Sequence, residues 1–207
     1  HWGVLEGLCI AMTQLPQQPL RRTCLGLVTR SLAVLAPEPR YAVLAHVLRT
    51  CPYPPVTSLL LHQLKEEVRG SWPTEGGVCK EDYHRDTRRA PFVALAAPLL
   101  LEVWPKPSGP LLLQQLDVTM GCLNLLRFLL LRDKGVDITG VYSQELQQRL
   151  QQHFLTPLQT HTDALLKEVA AGRADEQGGM AEATQEMQLQ MLAEVLERVR
   201  ELLPRPA

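Results

Sequence analysis

The sequence has 207 residues, 45% of them hydrophobic, enough for one large core or for a short array of repeats that share one. Its 21 basic and 22 acidic residues leave a formal net charge of −1, so no global field draws it to nucleic acid or to an anionic membrane. Aromatic residues are only 5%, no alternating run of β-branched and aromatic residues lies between turn residues, and Leu, Gln, Glu, Arg and Ala dominate, so the chain reads as all-α.

The chain opens on His1 rather than Met and its helical pattern begins at once, so it reads as the carboxy-terminal portion of a longer protein. The start HWGVLEGLCIAMTQL has no basic n-region, and no secretory signal is expected. A first helix is predicted from Trp2 to about Thr13 and a second from Pro19 to Leu35, closed by Ala36-Pro37. Pro39 suits the first turn of a third, whose Tyr41, Leu44, Ala45 and Leu48 follow at the spacing of one buried face. Cys51-Pro-Tyr-Pro-Pro55 stops it, and a partner helix carrying Val56, Leu59, Leu60, Leu64 and Val68 ends at Gly70, read as a left-handed cap. These two helices make a hairpin of roughly 30 residues, the size of one unit in a solenoid.

Residues 70–90 mix Gly, Pro and charge without period and read as an exposed loop. Pro91 then leads a helix with Phe92, Leu95, Leu99, Leu100, Val103 and Trp104, and Pro98 predicts a kink inside it. The segment Leu111 to Leu131 is apolar nearly all round, so it must be covered on both sides and belongs at the centre of the array. Its Gln114, Gln115, Asp117, Asn124 and Arg127 exclude a membrane span, because each would cost a few kcal/mol in a bilayer. Arg132 to Gly140 reads as a polar turn and Ser143 as the cap of the next helix. That helix buries Leu146, Leu150, Phe154, Leu158, Leu165 and Val169, with Pro157 expected to bend or split it. After a Gly-rich, charged loop over 171–183, a last helix sets Leu192, Val195, Leu196, Val199, Leu202 and Leu203 opposite Glu194, Glu197, Arg198 and Glu201. The whole chain, 1–207, is taken as one domain of stacked helix pairs.

Catalytic and metal-binding patterns do not assemble. Five cysteines (Cys9, Cys24, Cys51, Cys79, Cys122) in apolar helical surroundings read as reduced cytosolic thiols. There is no CxxC, and Cys79 with His84 offers one pair where structural zinc needs four ligands. Cys51 or Cys122 beside His46 or His62 is the only nucleophilic pairing to consider, and a buried thiol is usually inert. Gly76-Gly77 and Gly178-Gly179 lack the Lys-Ser/Thr of a phosphate loop, and His84-Arg85-Asp86 lacks the strands of a kinase lobe. No catalytic, cofactor or metal residue is therefore expected, and the chain is read as a binding protein, not an enzyme.

Three stretches carry a resemblance: Leu116 to Leu131 (LDVTMGCLNLLRFLLL), Phe154-Leu-Thr-Pro-Leu158, and Glu186 to Leu192 with Val195 to Leu203. Together with YAVLAHVLRT and LLLHQLKEEV earlier in the chain, they occur in the order found in the carboxy-terminal region of the glomulin family, which this sequence resembles from about Tyr41 onward. The resemblance implies a HEAT-like α-solenoid of stacked antiparallel helix pairs. It also implies a cytoplasmic protein that binds the RING subunit of cullin–RING ubiquitin ligases and masks the surface recruiting the ubiquitin-conjugating enzyme, with no cofactor, nucleic acid, membrane or small-molecule substrate. The stretches 73–90 and 171–183 look diverged from that family. Contact residues are not carried over from it; Arg127, Arg132, Tyr142, Arg149 and Arg198 are nominated from exposed faces near the matched helices, because Arg and Tyr are enriched among binding hot spots. A generic scaffold for another cytosolic partner is the alternative, and a helical Cys/His hydrolase ranks behind both.

Overall fold

A computed structural model describes residues 2–72, 91–106, 111–173 and 180–204, and these are helical with no strand among them. The helices are α1 (Trp2–Gln14), α2 (Gln18–Ala33), α3 (Pro37–Thr50), α4 (Pro54–Ser71), α5 (Pro91–Ala94), α6 (Ala96–Val103), α7 (Leu111–Gln114), α8 (Leu116–Arg132), α9 (Gln144–Leu150), α10 (Thr156–Arg173) and α11 (Met180–Leu202), with a π-helical turn over Gln151–Leu155. Prolines open α2, α3 and α4 within their first two positions, where the N–H that proline lacks would have no intrahelical partner anyway.

Arg40 ties three helices together. Its Nε and Nη2 donate to the Leu35 carbonyl (3.2 and 2.8 Å) and Nη2 also to that of Ala33 (3.2 Å), satisfying carbonyls left over at the end of α2. Its Nη1 meets Glu67 at 2.9 Å near the far end of α4, so α3 and α4 run antiparallel as a hairpin. The next elements repeat these directions. Tyr41 packs edge-on against Phe92 (5.6 Å) and its hydroxyl donates to the Leu95 carbonyl, while Arg49 pairs with Glu102 at 2.6 Å; α3 and α5–α6 therefore run parallel. At Gly121 an added Cβ would meet Leu61 Cδ1 at 3.1 Å, and Trp72 packs edge-on against Phe128 at 6.2 Å, so α4 and α8 also run parallel, in close approach.

The apolar segment after Leu111 holds the centre, as its composition requires. α8 packs against α4, α6, α7 and α11, and buries Val118, Thr119, Cys122, Leu123, Leu125, Leu126, Leu129 and Leu130.

The interruptions fall where chain chemistry forces them more often than where sequence punctuation stands. Pro98 lies in the first turn of α6, and the break comes one turn earlier, at Leu95 (φ −110°, ψ 6°), because Pro98 can neither donate to nor tolerate the Ala94 carbonyl of a continuous helix. A second break at Gln115 (φ −105°, ψ 11°) splits the segment expected as one helix, and no proline stands behind it. Pro157 acts in the same upstream way. The Thr156 N–H bonds the Gln151 carbonyl across a widened turn, and the buried Leu150 and Leu155 lie five apart before the ordinary spacing resumes at Leu158, Thr162 and Leu165.

Gly70 does not adopt a left-handed cap: α4 continues through it to Ser71 and stops at Trp72 in an extended conformation. Ser143 occupies the expected cap position of α9 without a side-chain bond, and the Gln147 amide instead donates to the Val141 carbonyl at 2.5 Å. Of the predicted loops, 73–90 and 174–179 lie outside the described residues; 171–173 end α10 and 180–183 begin α11.

Candidate partner-binding surface

The stretch from Asp133 to Ser143 is built around a buried carboxylate. Asp133 is fully buried and accepts from the Ile138 N–H (2.7 Å), the Thr139 N–H (2.8 Å) and the Thr139 hydroxyl (2.6 Å). Three short hydrogen bonds to one buried carboxylate wind the segment into a fixed turn. Gly135 (φ 84°) and Gly140 (φ 70°) supply the left-handed corners that this winding needs, and Asp137 tolerates a third at φ 54°. Asp137 also accepts from the Tyr142 N–H at 3.0 Å, and the Tyr142 hydroxyl donates to the Leu130 carbonyl at 2.6 Å. The tyrosine thereby closes the end of α8. Burial, then the Asp133 and Asp137 carboxylates, hold its hydroxyl above the usual pKa.

Beside this turn the parallel ends of α4 and α8 present a ridge. Phe128 meets Trp72 edge to face, and the Arg132 guanidinium lies 5.8 Å from the centre of the Trp72 ring, a cation–π distance. The stacking holds an exposed arginine in one place, which lowers the entropy it loses on meeting a carboxylate. Leu131 and Val136, both nearly half exposed, and the exposed Arg127 and Lys134 lie close to Arg132 in the chain.

Of the five nominated residues, Arg132 ends α8 and stacks on Trp72, and the Tyr142 hydroxyl bonds the Leu130 carbonyl in the last turn of that helix. Arg127 is exposed on the same helix, five residues before Arg132. Arg149 is exposed on α9 and Arg198 on α11, where it pairs with Glu194 one turn away. Trp72, Phe128 and Asp133 were not among the nominated residues. The first pairs with residues more than fifty positions away, which periodicity does not report, and Asp133 looks like any acid in a polar turn until its partners are seen.

The residues weighed for chemistry are also placed. Cys51 and His46 line one cavity of about 320 Å³ between α1 and the end of α3, whereas His62 lines a different groove, between α4 and α8. Cys122 is fully buried, and burial pushes its thiol far up, so it is held as the unreactive thiol. Cys9, Cys24, Cys51 and Cys122 are free, and no group of three metal-ligating side chains forms among the described residues. Cys79, His84 and the arginines at 85, 88 and 89 lie outside them. No helix among the described residues is long and apolar enough to cross a membrane.

Comparison with known proteins gives a consistent picture. A protein family described as "Uncharacterised protein family, YAP/Alf4/glomulin" matches residues 2–198. The mouse protein named Glomulin is 27% identical over 157 residues, covering 75% of this chain and 24% of that protein. The chain thus spans about a quarter of the length of the curated relative it matches.

Proposed function

The chain belongs to the YAP/Alf4/glomulin family, and on that membership we propose that it is a cytoplasmic, non-catalytic protein-binding segment whose partner is the RING subunit of a cullin–RING ubiquitin ligase. Its mode of action is steric masking: the bound segment covers the surface that would recruit the ubiquitin-conjugating enzyme, and no bond is made or broken. The observation that carries the reading is the family match along nearly the whole chain, in agreement with the ordered stretches from Leu116 to Leu203.

The arrangement we infer is a HEAT-like solenoid of stacked antiparallel helix pairs. Its support is the repeat of direction, α5–α6 parallel to α3 and α8 parallel to α4, which is how one hairpin stacks on the next. Within it the ridge of Trp72 and Arg132, with the exposed Leu131 and Val136 close by in the chain, is the contact surface we favour, because it combines a positioned arginine with exposed apolar residues.

Two measurements test the proposal. Saturating protein should suppress ubiquitin chain formation by a reconstituted cullin–RING ligase, and unchanged activity would remove the mechanism. Binding of the isolated RING subunit should weaken about tenfold in Arg132→Ala, the loss of about 1.4 kcal/mol expected for an interfacial arginine. Capture of a different partner with no RING subunit present would favour a general scaffold instead.

A further inference from the structure

The cavity between α1 and the end of α3 brings together groups that the binding reading leaves unused. It is about 320 Å³ and its lining includes Glu6, Cys9, His46, Cys51 and Tyr53. Two of these are free thiols from different helical hairpins: Cys9 is buried in the middle of α1, and Cys51 is half-buried just after α3. From this shared cavity we propose that Cys9 and Cys51 form a peroxide-sensitive dithiol, which closes to a disulfide joining α1 to the turn between α3 and α4.

The two thiols have distinct parts. Burial, then the neighbouring Cys51 and Glu6, push the Cys9 thiol up to about 11, so it stays protonated near neutral pH and is a poor first nucleophile. The two side chains line the same cavity, which is what lets the sulfurs approach each other. Cys51 is the more open of the pair, its Sγ 3.8 Å from the Tyr53 carbonyl, and meets oxidant entering from the cavity mouth. The Cys51 thiolate attacks one peroxide oxygen; an S–O bond forms, the O–O bond breaks, and the leaving hydroxide takes a proton to become water. The Cys9 sulfur then attacks the Cys51 sulfur; the S–S bond forms, the S–O bond breaks, and hydroxide departs with the Cys9 proton as a second water. Two thiols lose two electrons, and hydrogen peroxide gains them.

The site differs from the other two described cysteines in the way the reaction needs. Cys122 is sealed in the core, and Cys24 is buried on α2 away from the lining of this cavity. Oxidation would fasten the first hairpin to the second, at the opposite end of the α4 helix from the Trp72 ridge, so partner binding there is expected to persist.

The test uses the intact chain treated with hydrogen peroxide, then digested without reduction. The expected product is a linked peptide pair containing Cys9 and Cys51, two hydrogens lighter than the sum of its parts and separated by reductant. In Cys9→Ser the intermediate should be trapped as a dimedone adduct on Cys51. As a check that needs no variant, a trivalent arsenical such as phenylarsine oxide should bridge both thiols and protect them from alkylation together. Linkage of Cys51 chiefly to Cys79, or oxidation of Cys51 with Cys9 left free and no arsenical protection, would overturn the proposal.

Discussion

Helices α2 and α8 are nearly the same length, 16 and 17 residues, yet α2 buries three side chains and α8 buries eight. The difference lies in both composition and neighbours: α2 carries Arg21, Arg22 and Arg30, whereas α8 is apolar nearly all round. α2 packs chiefly on α1 and α3, and leaves Leu20 and Leu27 facing outward, with Val34 just beyond its end. α8 is enclosed by α4, α6, α7 and α11, so almost every turn of it contributes to the core. An apolar side chain stabilises in proportion to the surface it removes from water, so an apolar helix enclosed at the centre of a stack contributes more than a more polar helix at its flank.

That contrast can be broken by mutation. Leu126→Ala, at a fully buried site on α8, should cost about 3–5 kcal/mol by urea denaturation, and Leu32→Ala on α2 about 2–3 kcal/mol, since the flank can close more of the cavity left behind. Equal losses would mean that the flank is packed as rigidly as the centre. Asp133→Ala should come next, at about 2–3 kcal/mol, because it strips the partners from three buried donors at the end of α8.

A smaller effect appears only at high pH. Burial, chiefly, raises the Tyr41 hydroxyl from 10.0 to about 12, so the folded form holds its proton where the unfolded chain has lost it. The stabilisation is complete below pH 10.0 and disappears as pH rises through about 12, and Tyr41→Phe should flatten that fall in a denaturation series. Least of all, Leu27→Gln on the outer face of α2 should leave stability within about 0.5 kcal/mol. A larger loss would show that this face is covered in solution.

Much of the helical order was legible from the chain itself. Prolines at 37, 39, 54 and 55 and the apolar stripe of Tyr41, Leu44, Ala45 and Leu48 give a hairpin because both signals act within a turn or two of the residue that carries them. The site was legible only in part. Arg132 and Tyr142 could be nominated by type, but the value of Arg132 depends on Trp72, and the two meet only because α4 and α8 run parallel. Asp133 was hidden for a related reason: an acid in a polar turn normally faces water, and only the amides of Ile138 and Thr139 folding back upon it make burial tolerable. Gly70 and Ser143 show the opposite error, residues whose preferred local role the packed structure did not use.

The widened turn at Gln151–Leu155 reaches beyond its five residues. One additional residue in a helical turn changes the angular phase of everything after it by about 100°. A helical wheel drawn through 144–173 as a single cylinder is therefore about a quarter-turn out of register in one half, and it misplaces the buried Leu155. Removing one residue from the turn would act less like a deletion than like twisting a key: Arg149 and the outer face of α9 would swing away from the bearing that α10 now gives them, with every side chain still present.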